Sequence, residues 1–223
     1  MSAHQDLVIR VRNGIFSSNS YVCRTNTAGE CILVDPGLDR EGIEAALEEA
    51  ELVPRAIFCT HGHFDHVGSA EFFSRKYSIA VHLHESDRKV ARSSNFLMMA
   101  FKVPARITVP QDLVPIDDGF TWTDGSNELR VVHSPGHTPG SSVVLFRGSA
   151  FTGDTLYRDG VGLVSLPGED KAQLVASLHR LWTSIPDATV IHPGHGGAGP
   201  FADLKRTNTP LRSLLGLEEA ANP

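Results

Sequence analysis

"CTHGHFDHVGS", Cys59–Ser69, sets three histidines and one aspartate within the six residues from His61 to His66. Four such side chains in one short run work against a packed core, so the stretch is either a metal site or a chance cluster on a solvated turn. Imidazole nitrogen and carboxylate oxygen are the usual donors to catalytic zinc and related ions. From an extended loop His61 and His63 can converge on one ion, while Asp65 and His66 leave in another direction, towards a second. Two ions about 3.5–4 Å apart need more ligands and one shared group.

Candidates for those ligands stand at three later places, each where an expected strand ends in a turn. "SPGHTPGSS" carries His137, "FTGDTL" carries Asp154 and "HPGHGG" carries His195. Glycine beside each donor lets the backbone turn sharply and approach closely. In α/β folds the ligand crevice lies beyond the strand ends, where loops of this kind converge. A lone histidine among the eleven would carry little weight, but this ordered, glycine-flanked set is a strong signal.

Outward from the cluster the chain alternates strands and helices. "DLVIRVRNG" reads as a strand, and "SNSYVCRT" and "ECILVD" read as a pair joined by the turn-forming "NTAG". "LDREGIEAALEEAEL" places Ile43, Ala46, Leu47 and Ala50 at helical spacing. "RAIFCT" is a short strand that delivers His61 to a loop; "GSAEFFSRKYS" follows as a helix and "IAVHLHE" as a strand. That order is an α/β signature. The second half resumes with "NELRVVHSPG", "SSVVLFRGSAFTGD", a helix at "DKAQLVASLHRLWTSI" and the strand "ATVIHPGHG". Between the halves, Ser86 to Thr108 mixes basic residues with Phe96, Leu97, Met98, Met99 and Phe101. This segment reads either as a helix or loop packed on the core or as the wall of a substrate pocket. No Pro/Gly-rich linker divides the chain, so a single domain over residues 1–223 is expected.

In order and context "THGHFDH", "PGHTPGS", "TGDTL" and "PGHG" resemble the motifs of the metallo-β-lactamase superfamily, over roughly residues 7 to 200. The nearest likeness is to its hydroxyacylglutathione hydrolase (glyoxalase II)-like branch. The resemblance implies an αβ/βα four-layer sandwich, two mixed β-sheets flanked by helices, with the metal site at one edge. It implies His61, His63 and His137 on one ion, Asp65, His66 and His195 on the other, and Asp154 bridging both. Asp35 of "ILVDPG" matches a further family position, which would orient a ligand histidine or hold the loop. His82 and His84 share one strand face but have no third ligand at matching spacing, and His133, His179 and His192 read as ordinary residues.

The implied chemistry is hydrolysis by a hydroxide bridging two divalent ions, zinc foremost with iron or manganese as options, and with Asp65 and Asp154 as the catalytic carboxylates. There is no GxSxG elbow to supply a serine nucleophile, and "DGVGLV" lacks the lysine and spacing of a phosphate loop. A thioester substrate suits the branch. Glyoxalase II proteins, however, grip glutathione with a C-terminal helical region, and here about 28 residues follow His195, with Lys205, Arg206 and Arg212 the basic ones. The glycine-arginine motif that commonly follows GDTLF is replaced by "GDTLYRDGVGLVSLPGED", which makes Tyr157 and Arg158 the pocket candidates. Other esters, lactones, β-lactams or phosphodiesters stay open as substrates, as do a mononuclear iron persulfide dioxygenase and a binding protein that retains metal.

Bulk properties agree. A chain of 223 residues, 41% hydrophobic and 21% charged, is an ordinary globular composition. Its formal charge of −6 argues against nucleic acid as a partner. No apolar run approaches the ~20 residues that span a bilayer, and "MSAHQDLVIRVRNG" lacks the organisation of a signal peptide. Three cysteines without CxxC spacing suit a reducing compartment. The expectation is a cytoplasmic protein acting on a small molecule, with no membrane partner.

Overall fold

Tyr21, Val22 and Cys23 are all buried, and so are Cys31 to Val34 and Ala56 to Phe58. Strands that are apolar on both faces must serve two cores at once. The computed structural model, which describes residues 7–125, 127–163 and 166–217, shows both of them. These residues lie on β2 (Asn19–Arg24), β3 (Glu30–Val34) and β4 (Val53–Phe58). By the two-residue side-chain period, Tyr21, Cys23, Ile32, Val34, Ala56 and Phe58 face one way and Val22, Cys31, Leu33 and Ile57 the other.

The first sheet runs in the order β1 (Val8–Arg12), β2, β3, β4, β5 (Val81–His84), β6 (Leu113–Ile116). Its first three strands are antiparallel and the later pairings parallel. The expected β2–β3 hairpin is present, with Tyr21 opposite Val34. Helices α1 (Arg40–Glu49) and α3 (Ala70–Tyr77) cover the outer face with Ile43, Leu47, Ala70 and Phe73. Helix α1 starts where expected: Asp39 caps it by accepting from the Gly42 amide at 3.0 Å.

The second sheet mirrors this layout. It comprises β7 (Thr121–Asp124), β8 (Asn127–His133), β9 (Ser142–Phe146), β10 (Ser149–Gly153), β11 (Val190–Pro193) and β12 (Gly199–Pro200), stacked in reverse chain order. All its pairings are antiparallel except β10 with β11. Leu129, Val131, Val144, Phe146 and Phe151 turn inward and meet Tyr21, Ile32 and Phe58 of the first sheet. Val143, Ala150 and Ile191 turn outward against α6 (Lys171–Ser184), α7 (Phe201–Thr207) and α8 (Thr209–Leu214). The result is four layers, helix, sheet, sheet, helix, with two mixed sheets at the centre.

Short elements close one edge. Helix α2 (Phe64–Val67) follows β4, and α4 (Arg88–Arg92) and α5 (Ser94–Ala100) follow β5. Phe64 of α2, Met98 of α5 and Val103 form a small core of their own. Among the described residues no helix is long and apolar enough to cross a membrane.

Candidate metal centre

Each motif of the sequence lies just past the C-terminal end of a strand: His61 to His66 after β4, His137 after β8, Asp154 after β10 and His195 after β11. Because β10 and β11 are parallel neighbours, Asp154 and His195 emerge side by side. The four loops bring seven side chains to one edge of the sandwich.

His61 Nε2 and His137 Nε2 each stand 3.1 Å from His63 Nδ1. Donors to one tetrahedral zinc, at about 2.0–2.1 Å from the ion, lie about 3.3 Å apart. The outward nitrogens decide what the inward ones present. Thr60 Oγ1 donates to the Asp35 carboxylate at 2.7 Å and so accepts from His61 Nδ1 at 3.1 Å. His137 Nδ1 donates to the Gly162 carbonyl at 3.1 Å, and His66 Nδ1 donates to Asp35 at 2.9 Å. With the outer nitrogen protonated, Nε2 of His61 and His137 is a lone pair aimed at the common point.

The second group has a different electrostatic character. Asp65 Oδ2 lies 3.6 Å from His66 Nε2 and 3.4 Å from His195 Nε2. Asp154 sits between the groups: Oδ1 is 3.4 Å from His66 Nε2, and Oδ2 is 3.4 Å from His195 Nε2 and 3.6 Å from His137 Nε2. Donor atoms of His61, His63 and His137, of His61, His66 and Asp154, and of Asp65, His66 and His195 each fall within 4.8 Å of one another.

Burial, then neighbouring imidazoles, lowers the pKa of His61 and takes His63 down to about 4, so both are neutral donors. Burial also opposes a charge on His66 and His195. There the carboxylates win: Asp65, Asp154 and Asp35 lift His66 to about 9, and Asp154 and Asp65 lift His195 to about 10. Burial would raise Asp154, but His66, His195 and His61 hold it well below the carboxylate range. The carboxylate side of the site therefore demands positive charge, which a divalent ion supplies in place of protons. Among the described residues, the buried side-chain atoms without a hydrogen-bond partner are His66 Nε2 and Asp154 Oδ1, which face each other at 3.4 Å. The donor set fits two metal ions.

Asp35 holds both His66 and Thr60, and thereby His61, and it does so from a left-handed backbone (φ 49°) that aspartate tolerates better than most residues. Gly194 allows the His195 loop its close approach, since a Cβ there would stand 2.1 Å from Asp154 Oδ1. Asp87 is a residue the sequence reading missed. Fully buried, it accepts from the Gly62 amide at 2.8 Å, the Thr138 hydroxyl at 2.7 Å and the Gly140 amide at 2.6 Å. It thus ties the loop of His61 and His63 to the loop of His137. In "HESDRK" it looks like any aspartate at the start of a helix.

Over the ligands lies a cavity of about 400 Å³, walled by Phe16, Phe64, Leu97, Phe101, Leu166 and Tyr157. Both readings of the 86–108 segment hold, on different faces of α5: Met98 is core, and Leu97 lines the cavity with Phe101 just beyond the helix. Burial, followed by the charge of the Asp154 carboxylate, pushes the pKa of Tyr157 up, so it stays a phenol. Arg158 is exposed and lies outside the lining, beside Gly197 in the His195 loop. His82 and His84 stay out of the centre: the first stacks on Phe58 at 4.5 Å, the second on His133 at 4.0 Å. His192 packs on Phe151. Cys23, Cys31 and Cys59 are buried and free, Cys59 one residue past β4.

Residues 13–195 match the family model of the metallo-beta-lactamase superfamily. The chain is 28% identical to the probable metallo-hydrolase YqgX of Bacillus subtilis, over 84% of this chain and 89% of that protein. It is 27% identical to BaeB of Bacillus velezensis, a probable polyketide biosynthesis zinc-dependent hydrolase, over 84% of this chain and 76% of that protein. The crystal structure of TTHA1623 in a di-iron-bound form superposes with a TM-score of 0.80 at 34% identity, covering 91% of this chain and 99% of the other.

Proposed function

Given that the chain belongs to the metallo-beta-lactamase superfamily, whose members are metal-dependent hydrolases, we propose that it hydrolyses a thioester at a two-metal centre. The observation that carries this reading is the place of the Asp154 carboxylate, within 3.4–3.6 Å of His66 and His195 on one side and of His137 on the other, at the floor of one apolar cavity. His61, His63 and His137 would hold one ion, Asp65, His66 and His195 the other, and Asp154 both. Bound there, divalent ions would lower the pKa of a water from 15.7 towards about 7 and polarise a carbonyl oxygen. Zinc is the first choice, by likeness to the probable zinc-dependent hydrolase BaeB, and iron the second, by likeness to the di-iron-bound form of TTHA1623.

The chain's own groups do the rest. Asp65 borders the cavity, and its carboxylate accepts a hydrogen bond from the attacking water and orients it. Asp35 and the Gly162 carbonyl keep His66 and His137 in the required tautomers. Tyr157 adds a phenol to the cavity wall beside Asp154. Among the described residues, that phenol, whose pKa is raised, is the one titratable group on the cavity wall outside the ligand set, so none of them is an acid poised to protonate a leaving group at neutral pH. A thiolate leaves without one; an amine or alkoxide does not. Water adds to the carbonyl carbon and the C–S bond breaks with its electron pair on sulfur; one proton of the water ends on the thiolate and the other is released to solvent, leaving a carboxylate and a thiol. Arg158 would meet only a part of the substrate that projects past the mouth. The free buried cysteines suit a cytoplasmic setting.

The test is metal content by plasma mass spectrometry paired with thioester hydrolysis on the same preparation, S-lactoylglutathione included. Two ions per chain with turnover is the expected result. One iron and no turnover overturns the reading in favour of mononuclear iron chemistry.

A further inference from the structure

We infer that the cavity selects uncharged, apolar groups, so that the substrate is an alkyl or aryl acyl thioester rather than a charged conjugate such as that of glutathione. This rests on the thioester reading for the reaction, but on the cavity wall for the class.

Among the described residues, Tyr157 is the one lining side chain with a polar atom outside the ligand set, and no lysine or arginine lines the cavity. A carboxylate or peptide group pushed past the ligands would lose its water and find no partner on that wall. Lys102 and Arg106, which follow Phe101 in the chain, line a separate open groove with Phe96 and Met99. Nor can Arg158 serve, as it stands outside the lining.

The wall is held in place. Phe16 has a left-handed backbone (φ 62°), which costs a bulky residue free energy. Its loop is fixed by Asn13, whose amide donates to the Ser18 carbonyl at 2.8 Å and whose side chain donates to Ser18 Oγ at 2.8 Å. Ser18 Oγ in turn donates at 2.9 Å to the carbonyl of Asp65, a residue of the ligand set. The Phe16 ring thus lies edge-on to Phe64 at 5.0 Å and to Phe101 at 5.6 Å. Phe16 and Phe101 nevertheless remain 43% and 44% exposed. Two rings held against the buried Phe64 at a backbone cost, and left partly in water, are what an apolar ligand would cover.

Burying a methylene against such a wall is worth up to about fourfold in binding. Calorimetric titration of the metal-loaded protein with ethanethiol, butanethiol, benzyl mercaptan and glutathione reads the class without needing turnover. Butanethiol should bind at least fivefold tighter than ethanethiol, and benzyl mercaptan at least tenfold tighter than glutathione. In parallel, kcat/KM for N-acetylcysteamine thioesters should climb from acetyl to hexanoyl, and Phe101→Arg should flatten that climb. Glutathione binding as tightly as benzyl mercaptan, or no gain from ethanethiol to butanethiol, overturns the inference. Tight apolar thiol binding with no thioester cleaved would keep the class and sink the thioester reaction.

Discussion

At the scale of single residues, the centre depends on groups that never touch a reacting atom. Asp87 satisfies three donors that are otherwise shut away from water, and an unmet buried donor costs about 1–3 kcal/mol. Asp87→Ala should therefore weaken metal retention about 10–100-fold, the usual effect of losing a partner behind the ligands. Competition with a chelator measures this directly. Asp87→Asn keeps the shape but turns an NH2 group against donors, so it should recover only part of the loss; full retention in both variants would make Asp87 a bystander. Asp154→Ala is a harsher change, because this one carboxylate lies within 3.4–3.6 Å of His66, His195 and His137. Loss of an ion and of hydrolysis together is expected, whereas two full ions with unchanged activity would remove Asp154 as the shared ligand.

Among the elements, α5 shows how one short helix serves two purposes. Met98 is fully buried against Phe64 and Val103, while its neighbour Met99 is 66% exposed. Met98→Ala should cost about 2–5 kcal/mol in denaturant unfolding, and Met99→Ala should fall within about 0.5 kcal/mol of wild type. Equal effects would mean that the helix is turned differently about its axis. A mixed run of Phe, Leu and Met does not announce which side is which; its neighbours decide. Helix α1 is the opposite case, since its buried residues Ile43 and Leu47 follow from spacing alone. Removing the cap with Asp39→Ala should cost about 1 kcal/mol without altering metal content.

Taken as a whole, the molecule is two half-sandwiches joined by an interior layer and, at one edge, by the ligand loops. His61 to His66 come from the first sheet, and His137, Asp154 and His195 from the second. Metal bound there links the sheets in the folded state only, so its binding free energy adds to stability. At free metal about 1,000 times Kd that contribution is about 4.1 kcal/mol. Stripping the ions should thus lower Tm by about 8–16 °C for a chain of this size, and adding zinc should restore it. An unchanged Tm on verified demetallation would show that the two sheets hold the edge without help.

The linear sequence determined the layered α/β plan and marked the seven histidines and aspartates that the fold brings to one edge, for physical reasons. Strands buried on both faces leave continuous apolar runs such as "CILV", helices leave a 3.6-residue period, and metal ligands must be titratable side chains beside turn-permitting glycines. Tertiary structure alone decided the rest. Asp87 meets Gly62 and Gly140 across 25 and 53 residues. The Gly162 carbonyl that sets the tautomer of His137 is a backbone atom that every residue carries. Phe16 reaches the cavity only through a backbone conformation its residue type disfavours. Local periodicity records which faces are apolar. It does not record which distant loops converge, because that is set by how the two sheets stack.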